Sequence, residues 1–430
     1  MKCLAPVGAD KERERDCESH PVCSRFPGVI NSPRDTIWVE SLRMITRANR
    51  AHSRGPLGWL TLSLLVIALA ACSGEGGVEP DAEPGPEKAA ASPEPTPPTP
   101  AEDTAEQSAA ESALAPAMFH QTFKHAAMGT EFEFTLYGEE DKTSRSELLA
   151  VAEQAFQAID LLEDQISAWR PNSQTVYINL HAHEEPVKVA PNVFDLIVCS
   201  REIYDQTHGA FDITVGPLIE LWGFYKGEGR LPSGAELAEA VGKVGLDKVT
   251  LDEDARTVRF PREGLRLDFG GIAKGLALDE AAQVLEKYGI TTAILHGGTS
   301  SVLAIGCPPG EAGWTVRIRD PYNNNGNIDE LVLCNEALST SGSYEKFFEL
   351  DGKEYCHIFD PRTGRPVEGM LSATAIAKSG TISDALSTAF FVMGLDETRA
   401  YCEKHPDIRA VLIPEPESGT PQPRRVNFPG

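Results

Sequence analysis

The sequence predicts an α+β fold, one large domain with a mixed β-sheet core and flanking helices. Three observations carry that prediction. From about residue 119 onward, segments patterned as strands outnumber helical ones and often follow one another directly. The helical segments carry their apolar residues on one face. No internal repeat stands out. At roughly 310 residues the patterned region is near the limit of a single core, so it could divide into two tightly joined lobes.

The elements follow in order along the chain. "TEFEFTLYG" alternates as a half-buried strand does. Residues 146–167 place Leu148, Leu149, Ala152, Ala155, Phe156, Ile159, Leu162 and Ile166 on one helical face. Pro191 opens a second helix that ends at Gly209. Strand signals near 248–268 precede a helix over 273–288, stopped by Gly289, and strands at 291–296 and 300–306. The remainder reads as strands at 314–319, 345–359 and 371–378, helices at 381–393 and 396–404, and a last strand at 408–413.

The first quarter is of another kind. "LGWLTLSLLVIALAA" (57–71) follows Arg47, Arg50 and Arg54 and is shorter than the roughly 20 residues a membrane span needs, which predicts a secretory signal. Its ending, "LAAC", resembles a bacterial lipobox and implies that Cys72 becomes a lipid-bearing first residue. Met44 opens that signal, so residues 1–43, with Cys3, Cys17 and Cys23 in no recognisable pattern, read as an extension upstream of the true start. The expected organisation is therefore extension (1–43), lipoprotein signal (44–71), a Pro/Glu/Ala-rich disordered tether (72–117) and a folded domain (118–430) held outside the cytoplasm on a membrane.

A formal net charge of −25 argues against a nucleic-acid partner, which would need a basic face. Five cysteines follow Cys72, namely Cys199, Cys307, Cys334, Cys356 and Cys402. None shows C-x-x-C spacing, so zinc and dithiol sites have no support, and buried thiols are the default expectation.

The chemistry concentrates in two stretches. In "LRLDFGGIAKGLALDE" (265–280), glycines allow close backbone approach and a helix start offers unpaired N–H groups to an anion, with Lys274 at its mouth. Neither the G-x-G-x-x-G fingerprint nor the Walker sequence fits, because Gly275 follows Lys274. In "SGTISDALSTAFFVMG" (379–394), Asp384 and Thr388 stand four apart on a helix, a carboxylate and a hydroxyl on one face that suit Mg²⁺ or Ca²⁺. Against this, an Asp early in a helix is more often a dipole or capping partner. "YCHIFDPRTGRPV" (355–367) puts His357 on a strand before a tight turn; the ring is either a packed residue or a proton carrier. Met128, Trp169, Phe211 and Asp212 lie in segments that could be ordinary core and turn, although Trp169 could stack on a ligand ring. Two motifs fail: "HGGTSS" has no G-x-S-x-G partner, and "HAHEEP" has no H-E-x-x-H helix.

Taken together and in order, "MGT", "SAWRPNS", "GAFDITVGPL", "LDFGGIAKG", "GG", "STSGSY", "HIFDPRTGRPV" and "SDALSTAFFVMG" resemble the FAD:protein FMN transferase (ApbE) family over nearly all of residues 119–415. The resemblance implies a single T-fold-like domain, with flavin or adenine contacts from Met128, Trp169, Ala210, Phe211, Asp212 and Asp268. It also implies that Lys274, His357 and Ile358 lie by the pyrophosphate of FAD. Mg²⁺ would be held by Asp384, Thr388 and an oxygen of Gly271, with Ser387 as a further contact. One departure stands out: the family usually shows Gly-Gly-Asp after its central strand, whereas Gly297 and Gly298 are followed here by Thr299, and His296 replaces a more usual amide.

The implied reaction is Mg²⁺-dependent transfer of FMN from FAD to a Thr or Ser hydroxyl of an acceptor protein, with AMP released. His357 and Asp384 are the candidates for handling the hydroxyl proton. The implied partner is an acceptor flavoprotein subunit of an exported or membrane redox complex. A Mg²⁺-dependent FAD pyrophosphatase and a flavin-binding lipoprotein without turnover are the rival expectations.

Overall fold

The computed structural model describes residues 117–428, so the expected extension, signal, lipid-bearing Cys72 and tether up to residue 116 lie outside the described residues. Strands β1 (Met118–Ala127) and β2 (Thr130–Glu139) lead into helices α1 (Arg145–Ile166), α2 (Gln174–His181), α3 (Pro191–Gln206), α4 (Gly216–Leu221) and α5 (Gly234–Gly242). Then come α6 (Ala273–Lys287), β3 (Ala293–Gly297), β4 (Ser301–Ile305), β5 (Trp314–Asp320), β6 (Asn323–Leu333) and β7 (Glu336–Gly342). The domain closes with β8 (Met370–Ala377), α7 (Gly380–Lys404), β9 (Arg409–Pro414) and β10 (Arg424–Val426).

Eight strands form the central sheet in the order β1-β2-β3-β4-β7-β8-β9-β10. The α+β class is as expected, but every pairing in this sheet is antiparallel, where a mixed sheet was predicted. The reason is visible between β8 and β9, which a helix joins as in a parallel crossover. Gly394 sits inside α7 at φ 72°, outside helical geometry, and splits it into the two arms that the pattern predicted. The chain then re-enters the sheet where it left, with Ile376 opposite Arg409. Hydrophobic periodicity reports the helix and both strands and is silent on direction.

Period-two alternation sorts the sheet's faces. On one, Phe132, Phe134, Leu136 and Leu295 pack with α1, α6 and α7 into the main core. The other buries Ile294, Val302, Leu338, Ile376 and Val411 against Trp314, Val316, Ile318 and Leu331 of the β5–β6 hairpin. A third cluster gathers α4 and α5 around Trp222, whose Nε1 donates to the Gly364 carbonyl at 2.9 Å. The described residues form one compact unit rather than two lobes. No helix among them is long and apolar enough to cross a membrane.

Several local expectations are corrected. Residues 265–268 form no strand, only an isolated bridge from Arg266 to Val215, and 345–359 is a short hairpin, Phe347–Leu350 with Lys353–Cys356, turned at Asp351 and Gly352. His357 thus follows a strand rather than lying on one. Leu149 is 45% exposed although it continues the apolar stripe of α1. Cys307 and Cys334 form a disulfide, while Cys199, Cys356 and Cys402 are buried as expected. Their 27-residue separation matches no motif, so the bond was not readable from spacing.

Candidate active site

The site is built where α6 and α7 begin, on the helix-covered face of the sheet. Gly275 is required there: a Cβ on it would lie 2.0 Å from the Gly380 carbonyl oxygen and 2.7 Å from Asp384 Cβ, so only glycine lets the two helices meet. The close approach allows the Gly275 N–H to donate to Asp384 Oδ2 at 3.0 Å. Ser301 of β4 donates to Oδ1 over a long 3.4 Å, and Lys274 Nζ stands 3.7 Å from the same oxygen. Asp384 is 4% exposed.

Thr388, one turn on, is the residue of 380–391 that the surrounding packing leaves partly open. Its hydroxyl lies 3.2 Å from Ser341 Oγ of β7, which also pairs with Ser387 Oγ at 2.9 Å. Ser387 donates back to the Asp384 carbonyl at 2.8 Å and is fully buried, so it backs the site rather than facing it. A Cβ on Gly271 would lie 3.2 Å from Thr388 Oγ1 and 3.5 Å from the Phe211 ring. Gly271, Phe211, Thr388, Asp384 and Lys274, called from three separate sequence segments, are thereby brought together.

This donor set suits a hard divalent cation. Among the described residues no group of three His, Cys, Asp or Glu could hold a metal, which leaves one carboxylate with hydroxyl and carbonyl oxygens. Asp384 is the observation that tests the fit. A buried carboxylate has about four acceptor positions, and here one short backbone bond, one long hydroxyl contact and a lysine beyond hydrogen-bond reach occupy it, so acceptor capacity remains beside Thr388.

His357 is partly buried, and its Nδ1 lies 3.0 Å from the Lys346 carbonyl. A carbonyl only accepts, so Nδ1 carries the proton and Nε2 keeps its lone pair. Burial, with the charges of Lys346 and Lys274 and against the Lys346 hydrogen bond, lowers this histidine to about 4, which keeps the ring neutral with the Nε2 lone pair unoccupied. Ile358 follows, buried, its carbonyl accepting from the Val367 N–H at 3.0 Å.

The remaining candidates divide. Asp268 accepts from the Gly270 N–H and the Tyr225 hydroxyl, both at 2.8 Å, and Tyr225 meets the 65%-exposed Trp169 edge to face at 4.8 Å. Burial and the Asp268 charge push the Tyr225 phenol up, so it stays a donor. Met128 and Gly129, both at positive φ, make the β1–β2 turn, and Gly298 of the β3–β4 turn packs on Thr130 beside it. Ala210 is buried. Asp212 faces inward: it accepts from Thr214 N–H and Oγ1 at 2.7 Å and from the Leu246 N–H at 3.3 Å, and burial pushes its carboxyl up to about 6. Its carboxylate holds the protein's own loops. Thr299, at the place of the usual carboxylate, lines with His296 a pocket of about 570 Å³ between the sheet and the β5–β6 hairpin.

Three residues of this region were not called from the sequence: Ser301, Ser341 and Tyr225. The first two had a signal. Ser301 ends the "HGGTSS" motif set aside as a failed esterase loop, and Ser341 lies in "STSGSY". A strand serine reveals its partner only when the sheet order is known.

The ApbE family model matches residues 128–412. An FAD:protein FMN transferase of Klebsiella pneumoniae is 31% identical over 297 residues, 68% of this chain and 88% of that protein. One of Treponema pallidum is 31% identical, covering 63% and 79% respectively. The solved ApbE protein of Thermotoga maritima superposes with a TM-score of 0.64 at 32% identity, covering 72% of this chain and 97% of its own. Apo flavinyl transferase ApbE of Pseudomonas stutzeri gives 0.63 at 26% identity over 72% and 95%. With sequence and fold in agreement over one domain, the chain belongs to the ApbE family.

Proposed function

We propose that this enzyme transfers FMN from FAD to a Thr or Ser hydroxyl of an acceptor protein and releases AMP. The observation that carries the reading is the under-occupied Asp384 carboxylate beside Thr388, facing Lys274 at the start of α6. The flavin transferases to which the chain is similar support it.

In the proposed reaction the acceptor oxygen bonds to the FMN phosphorus, the bridging P–O bond breaks, and AMP leaves with the bridging oxygen. Lys274 and the positive end of the α6 dipole hold the pyrophosphate and offset its charge. Nε2 of His357 accepts the hydroxyl proton, with Nδ1 anchored on the Lys346 carbonyl. Asp384, Thr388 and the Gly271 carbonyl would hold Mg²⁺, which when bound supplies charge neutralisation to the phosphates. Trp169, largely exposed, offers aromatic surface to a ring of the dinucleotide, and Phe211, buried against Gly271, backs the site.

Export on a lipid anchor at Cys72 belongs to the same proposal. The Cys307–Cys334 disulfide supports it, since such bonds persist in oxidising compartments. The partner is then a flavoprotein subunit of an exported or membrane redox complex.

Asp384→Ala is the direct test. Transfer should fall by at least about a hundredfold, as when a charge-stabilising group is lost, and the remaining rate should no longer respond to Mg²⁺. Near-normal, Mg²⁺-stimulated transfer by this variant would refute the assignment.

A further inference from the structure

The carboxylate of Asp279 touches neither the flavin nor the cation in the mechanism above, yet it is among the most completely bonded groups in the molecule. It lies on α6, one turn beyond Gly275, and is 8% exposed. Oδ1 accepts the Gly380 N–H at 2.7 Å. Oδ2 accepts the Ser379 hydroxyl at 2.7 Å, the Thr381 N–H at 2.8 Å and the Thr381 hydroxyl at 2.6 Å. All four donors come from the N-cap and first turn of α7.

Helix α7 already has a cap of its own, because the Ser379 side chain accepts from the Ile382 N–H at 3.3 Å. Two of the bonds to Asp279 come from side-chain hydroxyls, which capping does not require. What the arrangement adds is a fixed relation between two helices. Gly275 and Asp279, four residues apart on one face of α6, hold α7 at two successive turns, the first through Asp384 and the second through residues 379–381. The fixed parts are the arms of the site: Gly271 and Lys274 on the α6 side, Asp384 and Thr388 on the α7 side. Between them Lys274 Nζ and Asp384 Oδ1 form an ion pair at 3.7 Å, longer than a hydrogen bond.

We propose that Asp279 is a positioning residue that holds the cation-binding turn of α7 in register with the phosphate-binding start of α6. The inference rests on the flavin-transfer reading and adds to it a residue that acts only through others. Carboxylates that support metal ligands from behind typically change metal affinity or activity by roughly 10–100-fold when replaced.

Asp279→Asn keeps the shape and loses the charge; its amide nitrogen must face a donor, because each carboxylate oxygen accepts a backbone N–H. The test uses the full chain and reads Mn²⁺ affinity by EPR titration with FAD present, then kcat and KM for AMP release, then thermal stability. The expected result is Mn²⁺ binding weakened by roughly tenfold or more, kcat lowered in parallel and KM for FAD little changed. A folded variant with wild-type Mn²⁺ affinity and kcat, altered only in thermal stability, would overturn the inference and leave Asp279 a structural cap. Should Asp279→Asn fail to fold, Thr381→Val removes one donor and is read the same way: a smaller loss of Mn²⁺ affinity supports the proposal, and an unchanged affinity overturns it. Absence of AMP release from the wild-type protein would instead count against the flavin-transfer reading, while the Mn²⁺ comparison would still judge the clamp.

Discussion

His357 shows how one residue's surroundings set a pH dependence. Its folded-state value of about 4 lies below the ordinary 6.5, so the folded protein resists a proton that the unfolded chain accepts. This contribution to stability is present above about 6.5 and is lost as pH falls from there towards 4. The same shift predicts that kcat/KM for FAD has no inflection near 6.5; a pH profile with a break there that vanishes in His357→Gln would contradict the placement of the ring. Gly275 allows a second prediction. Gly275→Ala forces a methyl group against the Gly380 carbonyl and should cost about 1–3 kcal/mol, read by denaturant unfolding, with a loss of transfer because Asp384 is displaced. An unchanged midpoint and rate would show that the helices do not meet as described. Asp384 and Thr388 were readable at this scale because spacing of four is a statement about one helix face. Ser301 and Ser341 were not, because they reach the site from strands that neighbour each other only in the folded sheet.

Among the elements, the β5–β6 hairpin depends on a bond that the pattern could not announce. Cys307 and Cys334 close a 27-residue loop at its base, which constrains the unfolded chain by roughly 3–4 kcal/mol on loop entropy. Reduction, or Cys307→Ser with Cys334→Ser, should therefore lower the thermal midpoint by several degrees while the thiols of the main core stay protected; no shift on reduction would show that the bond does not form. Helix α7 gives the complementary lesson. Its two arms and the break between them follow from apolar periodicity and Gly394, yet the direction of β9 does not, and the sheet was misread as mixed for that reason. Local patterns specify what an element is and leave open which way its neighbour runs. The run 265–268 fails differently: its alternation is apolar enough for a strand, but the Asp268 N–H bonds to Ile213 in a loop, and what it positions is the approach to Gly270 and Gly271.

On the scale of the whole molecule, the sequence carried the α+β class, the single domain and the segments of most of the candidate site, because its residues lie in short segments whose order is itself informative. The relation between α6 and α7 was hidden, since it depends on Gly275 and Asp279, whose partners are about a hundred residues away. The proposed tether and anchor make their own prediction: Cys72→Ser should move the protein from the membrane fraction to the soluble one and leave its activity on a soluble acceptor unchanged. Retention on the membrane would argue against lipidation at that residue. The central claim, that the dinucleotide is split at its anhydride and the flavin half kept on protein, is tested most directly by incubating the enzyme with FAD, Mg²⁺ and a candidate acceptor, then denaturing the acceptor and counting flavin and AMP together. The account predicts covalent flavin at a Thr or Ser, a mass gain of FMN less one water, and one AMP for each flavin attached. AMP with only free FMN would identify a pyrophosphatase, and intact FAD with neither product would contradict the mechanism altogether.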